Sequence, residues 1–295
     1  MKIFSGVDVS NFNYEQLMQK LKKIKSLKIK PKMKVILVGD REDSLLYVKM
    51  KKKKCISLGI DCELIFFPEE SYDDLIIQHI HLYNNDSSIH GILLQLPLPV
   101  HMNTNKIVAT INPKKDIDGF HYENIGKLTL NENTQYFSPC TALACMNFFD
   151  YYNIDIKGKD IIVIGASRVI GLPVSLMCVN RCATVTTCHI YTKNIKEKIK
   201  KGDIIISCCG VKHLINKEDV KENAIILDVG ITKENKKIYG DINPENMENY
   251  IYGMTPVPGG IGPVTISVLI KQLVDACYDQ VFNSQSSVLK TLQMS

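Results

Sequence analysis

Short apolar runs alternate with amphipathic stretches along most of the chain, and this pattern predicts its elements. Residues 34–39 (KVILVG) form a continuous apolar run ended by glycine, as a buried strand would. Residues 43–58 follow with helical spacing, and Gly59 stops them. A second strand is expected at 62–67, a helix at 72–83 and a third strand at 90–96, closed by Pro97 and Pro99. A helix at 104–111 then ends at Asn112-Pro113. The alternation returns beyond a polar, proline-bearing segment at 131–141. There it predicts strand 160–165, helix 171–180, strands 183–189 and 203–207, and a β-rich run at 224–230. A long amphipathic helix is expected at 263–281, after a glycine-rich loop. Strands separated by helices imply βαβ units and parallel sheets, with 131–141 as the junction between two of them.

Length agrees, since 295 residues at about 150 per domain suggest two domains or one large α/β unit. With 45% apolar and 23% charged residues, a disordered or fibrous chain is excluded. The longest apolar candidate, 91–100, has about half the residues a membrane span needs and contains two prolines, so no membrane partner is expected. Residues 1–30 lack an apolar signal core, and the first arginine is Arg41. A cytoplasmic protein is therefore expected, with its ten cysteines reduced. Cys140 with Cys145, and Cys178 with Cys182, have spacings a zinc site could use, but no CxxC pair occurs. Buried cysteines acting as small apolar residues, with no metal, are the preferred reading. The net charge of +5 is carried almost wholly by lysine, since only Arg41, Arg168 and Arg181 are arginine. Base-edge and phosphate readout favours the arginine fork, and a run such as Lys51 to Lys54 more commonly marks a solvated helix face. Nucleic acid is not an expected partner.

The sharpest chemical signal is residues 161–173, IIVIGASRVIGLP. An apolar strand runs into a glycine turn and a helix begins just beyond it, which aims backbone N–H groups at a phosphate as in dinucleotide sites. The match to GxGxxG is imperfect, because Ser167 stands where the second glycine would be. Any strand-to-helix turn can use glycine for backbone reasons alone. No carboxylate closes the following strand, which mildly favours NADP over NAD. Four other places look odd for simple packing. Tyr47 and Lys51 share a helix face, Gln95 interrupts an apolar strand at its C-terminal end, and Asp116 and Asp118 share a tight turn. Residues 255–263 (TPVPGGIGP) form a stiff loop with few side chains. Singly, each has a plainer reading as a solvated face, an edge polar residue, a turn or a loop punctuator; together they suggest one site.

With these motifs in order (SLLYVKMK, GILLQLPLP, PKKDIDGFH followed by Asn124 and Gly126, SPCT, VIGAS, ILDVGI and TPVPGGIGP), the chain resembles the bifunctional methylenetetrahydrofolate dehydrogenase/methenyltetrahydrofolate cyclohydrolase family over nearly its whole length. The resemblance implies a folate-binding catalytic α/β domain over 1–138, completed by a C-terminal helix at 264–295. It implies a Rossmann-like dinucleotide-binding domain over 139–263, a folate cleft between the two, and a homodimer. Tyr47, Lys51, Gln95 and Asp118 match the catalytic positions: a pocket tyrosine, a catalytic lysine, the glutamine bonded to it, and the aspartate that holds the pterin edge. Leu94, Leu96, Pro258, Gly259 and Gly260 match substrate-binding positions. Thr141, Gly165, Ala166, Ser167, Arg168, Gly171, Gly210, Ile231 and Thr265 match cofactor-binding positions, for NADP by family default and NAD as a possibility.

Three departures stand out. The family usually has arginine at position 166, and serine followed by a basic residue at Ile190 and Tyr191, where they help hold the cofactor's 2′-phosphate; Arg168 and Lys193 are nearby in sequence. The family's PCTPxG becomes residues 139–144, PCTALA. The implied chemistry has hydride leave the methylene carbon of the folate for the nicotinamide, which requires two rings held face to face. Water uptake by the methenyl product needs a proton acceptor, which a lysine can supply if partial burial and neighbouring positive charge lower its pKa. Ionised Asp118 can accept two hydrogen bonds from the pterin. The alternatives are an NAD-dependent dehydrogenase with weak or no cyclohydrolase activity and a cofactor-binding protein without turnover.

Overall fold

The computed structural model describes residues 1–132, 134–235 and 237–293, with side chains at the C-terminal end described as far as Phe282. The chain forms two compact units, one of Tyr14–Ser138 with Leu269 onward and one of Met1–Asn13 with Pro139–Val268. Residues 1–13, expected in the first domain, lie in the second unit. Strand β1 (Lys2–Ile3) pairs there in parallel with β11 (Gly253–Met254). Helix α1 (Gly6–Ser26) begins there.

The first unit is built on a three-stranded parallel sheet in the order β3-β2-β4, with β2 at Lys32–Val38, β3 at Asp61–Phe67 and β4 at Gly91–Leu94. Helix α2 (Glu42–Ser57) links β2 to β3, and α3 (Asp73–Asn85) links β3 to β4. Their inward residues close an apolar core around Ile36, Val38, Ile76, Ile80, Ile92 and Leu94. Short helices α4 (Thr104–Thr110) and α5 (Tyr122–Leu130) follow. Because β3 lies on one side of β2 and β4 on the other, the chain reverses direction across the sheet at β2. Ligands of open α/β sheets bind at such a reversal, beyond the C-terminal strand ends.

The second unit begins its main run with α6 (Cys140–Tyr151) and carries a six-stranded parallel sheet in the order β1-β11-β8-β7-β5-β6. Its strands include β5 (Asp160–Ile164), β6 (Thr184–Cys188), β7 (Ile204–Ser207) and β8 (Ile225–Asp228). Helix α7 (Gly171–Asn180) joins β5 to β6, and α8 (Ile195–Ile199) precedes β7. Strands β9 (Thr232–Glu234) and β10 (Lys237–Tyr239) pair antiparallel as a separate two-stranded sheet. The reversal here falls at β5, which has β6 on one side and β7 on the other.

Helix α9 (Ile261–Gln293) begins two residues before the expected start at 263; Met294 and Ser295, the end of the expected helix, lie outside the described residues. It also corrects the expectation that no stretch reaches membrane-span length. Its segment Ile261–Phe282 qualifies by length and composition, but 67% of the qualifying window is buried inside the protein, as in a core helix.

Candidate active site

In the first unit, helical geometry decides what the lysine run means. Ser44, Val48, Lys51 and Cys55 lie at intervals of four, three and four, and form the buried face of α2. Lys51 is only 8% exposed, whereas Lys52 and Lys53 point into solvent. Its Nζ donates to Gln95 Oε1 at 3.0 Å, and Gln95 Nε2 donates to the Leu96 carbonyl at 2.9 Å. Gln95 lies one residue past β4, and its backbone N–H still bonds Ile36 O, so the β2–β4 ladder fixes where its side chain starts. The Lys51–Gln95 pair therefore sits at the sheet's reversal. Tyr47, half-buried, lies one turn before Lys51, and burial, with Asp43's charge second, pushes its hydroxyl above the usual tyrosine range. Leu94 is in the apolar core at 3% exposure, and Leu96 packs against the same cluster.

The two aspartates of the 116–118 turn are not equivalent. Asp116 is buried; its carboxylate accepts from Gly119 N at 3.1 Å, His121 N at 2.7 Å and Asn124 Nδ2 at 2.9 Å. Burial pushes it up to about 6 despite those bonds. Asp118, half-buried, is carried on the turn that Asp116 ties down. Gln272 of α9 adds a second tie by donating to the Ile117 carbonyl at 2.8 Å and the Ser138 carbonyl at 3.0 Å. The sequence reading missed both supports. Asp116 was visible as one of a pair, but nothing in the pattern told an inward carboxylate from an outward one. A groove of about 590 Å³ on α5 and α9, lined by Glu123, Lys127, Tyr136 and Asp279 among others, contains none of the predicted residues.

In the second unit, Gly165 directly follows β5 and Gly210 lies in the loop after β7, the strand beside β5 at the reversal. Gly165 has φ +103°, and a Cβ on Gly171 would lie 1.7 Å from the Gly165 carbonyl oxygen. Strand end and helix start thus press together, and only glycine at 171 allows it. The turn between them holds Ala166, Ser167 and Arg168 at the N-terminus of α7; Ser167 Oγ accepts from Ile170 N at 3.1 Å. This backbone cradle fits a dinucleotide phosphate. Gly210 and Ile231 are adjacent, with a Gly210 Cβ falling 3.6 Å from the Ile231 carbonyl oxygen. Ile190 and Tyr191 beyond β6 are 91% and 86% exposed. Thr141 and Thr265 lie in the first turns of α6 and α9, and Thr265 Oγ1 donates to Ile261 O at 3.2 Å. The loop at Pro258, Gly259 and Gly260 is held by Gly6, whose N–H bonds the Gly259 carbonyl at 2.9 Å.

None of the ten cysteines forms a disulfide. Burial pushes Cys178 and Cys208 up to about 12. Among the described residues no group of three or more His, Cys, Asp or Glu side chains could hold a metal.

Comparison with known proteins decides the family. Residues 4–118 match the tetrahydrofolate dehydrogenase/cyclohydrolase catalytic domain, and residues 139–281 match the NAD(P)-binding domain of the same family. The chain belongs to the tetrahydrofolate dehydrogenase/cyclohydrolase family. The bifunctional protein FolD of Hydrogenobaculum sp. is 44% identical over 86% of this chain and 91% of its own. The solved bifunctional FolD of Campylobacter jejuni superposes with a TM-score of 0.92 at 39% identity, over 95% of this chain and all of that one. The Trypanosoma brucei dehydrogenase-cyclohydrolase, solved with NADP and an inhibitor, gives 0.89 at 29% identity over 95% and 97% of the two chains. For a member of this family, the Lys51–Gln95 pair and the glycine turn at 165–171 fall at the two sheet reversals, one in each unit.

Proposed function

We propose that the protein oxidises 5,10-methylenetetrahydrofolate to 5,10-methenyltetrahydrofolate with NADP and hydrolyses that product to 10-formyltetrahydrofolate. One observation carries the residue assignment: a lysine withdrawn from a solvated run, buried, and bonded to a glutamine at the end of a core strand. A buried ammonium costs stability unless it is used or well paired. Its side chain bonds a neutral amide, which leaves donors for a reacting group.

When bound, NADP supplies the acceptor for the hydride. The chain's own residues do the rest. Gln95 fixes the direction of Lys51, Tyr47 lines the same helix face, and Asp118 accepts the pterin's N–H donors from a turn that Asp116 and Gln272 hold. Lys51, when its amine is unprotonated, accepts the proton that water addition releases. In the second unit the turn at Gly165, Ala166, Ser167 and Arg168, with Gly171 behind it, holds the dinucleotide phosphates; Gly210, Ile231, Thr141 and Thr265 complete that side. Folate-binding positions are Leu94 and Leu96 in the first unit and, in the second, the backbone of Pro258, Gly259 and Gly260. Domain limits at 138/139 and 263/264, a homodimer and a cytoplasmic location belong to the same reading. Ten cysteines with no disulfide among them support a reducing compartment. Steady-state assay of both reactions in Lys51, Asp118 and Gly171 variants tests the roles, and light scattering tests the dimer. Wild-type rates in all three variants would remove the assignment.

A further inference from the structure

Two neighbouring carboxylates buried in the second unit have no part in the proposed chemistry. Asp241 is 0% and Asp228 3% exposed. Asp241 Oδ2 accepts from Ser207 Oγ at 2.7 Å and from Cys209 N at 2.8 Å, and its Oδ1 accepts from Val211 N at 2.8 Å. All three donors belong to the end of β7 and the loop after it, the loop that carries Gly210. Asp228, at the end of β8, accepts from Asp241 N and Ile242 N, each at 3.0 Å. The two interlock through glycines. A Cβ on Gly230 would meet Asp241 Oδ1 at 2.0 Å, and one on Gly240 would meet Asp228 Oδ2 at 1.9 Å. Three separate segments, 207–211, 228–231 and 240–242, are thus tied to one another by two carboxyl side chains. Their outward backbone carries Gly210 and Ile231.

We infer that Asp241 is a positioning residue for the dinucleotide, its carboxylate setting the 208–211 loop so that Gly210 and Ile231 present a fixed edge to the cofactor. The inference rests on the placement of the dinucleotide at this end of the six-stranded sheet. A carboxylate accepts from every donor aimed at it, whereas an amide turns two donors of its own into the same space. Asp241→Asn therefore changes charge and donor pattern at almost constant volume and frees the loop. Ser207→Ala is milder, since it removes one donor and leaves both backbone bonds.

The test uses the purified full chain with NADP as titrant. Asp241→Asn is expected to raise Kd and KM for NADP about tenfold or more, as loss of a hydrogen bond to a charged group implies, with kcat at saturating NADP within about twofold. Hydrolysis of methenyltetrahydrofolate without dinucleotide should stay near the wild-type rate, a split that general loss of folding would not give. If Asp241→Asn does not fold, Ser207→Ala should raise KM for NADP about threefold and leave hydrolysis unchanged. A folded Asp241→Asn with wild-type NADP affinity overturns the inference, as does a parallel loss of hydrolysis; an unchanged KM in Ser207→Ala does so where Asp241→Asn fails to fold. Ala166→Glu separates the two levels, because it places a negative charge on the β5 turn without touching Asp241. Wild-type affinity in Ala166→Glu means the dinucleotide is not at this sheet end, and both readings fall. Weak binding in Ala166→Glu with normal binding in Asp241→Asn removes the positioning role alone.

Discussion

Replacing Lys51 by methionine separates catalysis from packing, because methionine keeps much of the unbranched stem that fills the buried face of α2 and deletes only the charge. In the folded protein the change removes one charge-assisted bond, Lys51 Nζ to Gln95 Oε1 at 3.0 Å, worth about 1.5–3 kcal/mol. It also removes the cost of holding an ammonium at 8% exposure, so stability should move by only about 1 kcal/mol. The effect on rate is of a different size. Acid–base participation by a side chain contributes about 10²–10⁴ in rate, or roughly 3–5 kcal/mol of barrier. Hydrolysis of methenyltetrahydrofolate should therefore fall at least about a hundredfold, while dehydrogenation, which needs ring alignment more than proton movement, should fall less. The same run supplies controls. Lys52 and Lys53 are exposed, and methionine there should leave both rates within about twofold and stability within about 0.5 kcal/mol. Lys54 lies 3.8 Å over the Tyr14 ring, so its variant should lose about 0.5–1 kcal/mol of stability without losing rate. The assay follows decay of the methenyl compound after subtraction of the enzyme-free rate. If Lys51→Met hydrolyses as fast as the Lys52 and Lys53 variants, the lysine is a packing residue and the reasoning fails.

Asp118→Ala should weaken folate binding by roughly ten- to a hundredfold for each pterin bond lost and lower both activities together; calorimetric titration with the folate checks this, and unchanged affinity would return Asp118 to a turn role. Ala166→Arg should lower KM for NADP by about tenfold or more with little change for NAD, since a phosphate-binding arginine adds about 1.5–3 kcal/mol; equal effects on the two cofactors would show that position 166 is not beside the phosphate. His90 is buried, with its Nδ1 accepting from Lys32 N at 3.2 Å, and burial, aided by the Lys115 charge, pushes its pKa from 6.5 down to about 4. As pH falls from 6.5 to about 4 the unfolded chain takes up a proton that the folded one refuses, so stability is lost across that window, by about 3 kcal/mol in all. Urea midpoints at both ends of that range should show a smaller acid loss in His90→Asn, and identical slopes in the two proteins would contradict the burial argument.

The strands that carry the site were readable because each is a short, largely apolar run ended by a glycine, a proline or a polar residue. β2, β3 and β5 fall within two residues of the patterned segments for that reason. Helix α6 was not read, since its interior is apolar nearly all round: Ala142, Ala144, Cys145, Met146, Phe148 and Phe149 are all buried, so no 3.6-residue stripe exists. β1 and β11, two residues each, are strands only because they pair with each other and with β8. That long-range pairing places residues 1–13 in the second unit. On the site, Lys51 and Gln95 were readable as anomalies, a helix-face pair and a polar break in an apolar strand. Asp116, Gln272, Asp228 and Asp241 were not, because what distinguishes them is which distant backbone donors or carbonyls converge on them. Asp241 looks like any loop aspartate after a glycine until residues 207–211 are folded against it.

The central claim, that one chain catalyses both folate reactions through a dinucleotide site and a lysine site, meets its most direct test in a single absorbance experiment. Purified protein is given methylenetetrahydrofolate with NADP or NAD in parallel, and reduced dinucleotide and methenyl compound are followed together. The account predicts reduction of NADP accompanied by a methenyl signal that decays faster than in enzyme-free buffer, and loss of that faster decay in Lys51→Met. No dinucleotide reduction, or methenyl decay at the enzyme-free rate in the wild-type protein, would contradict it.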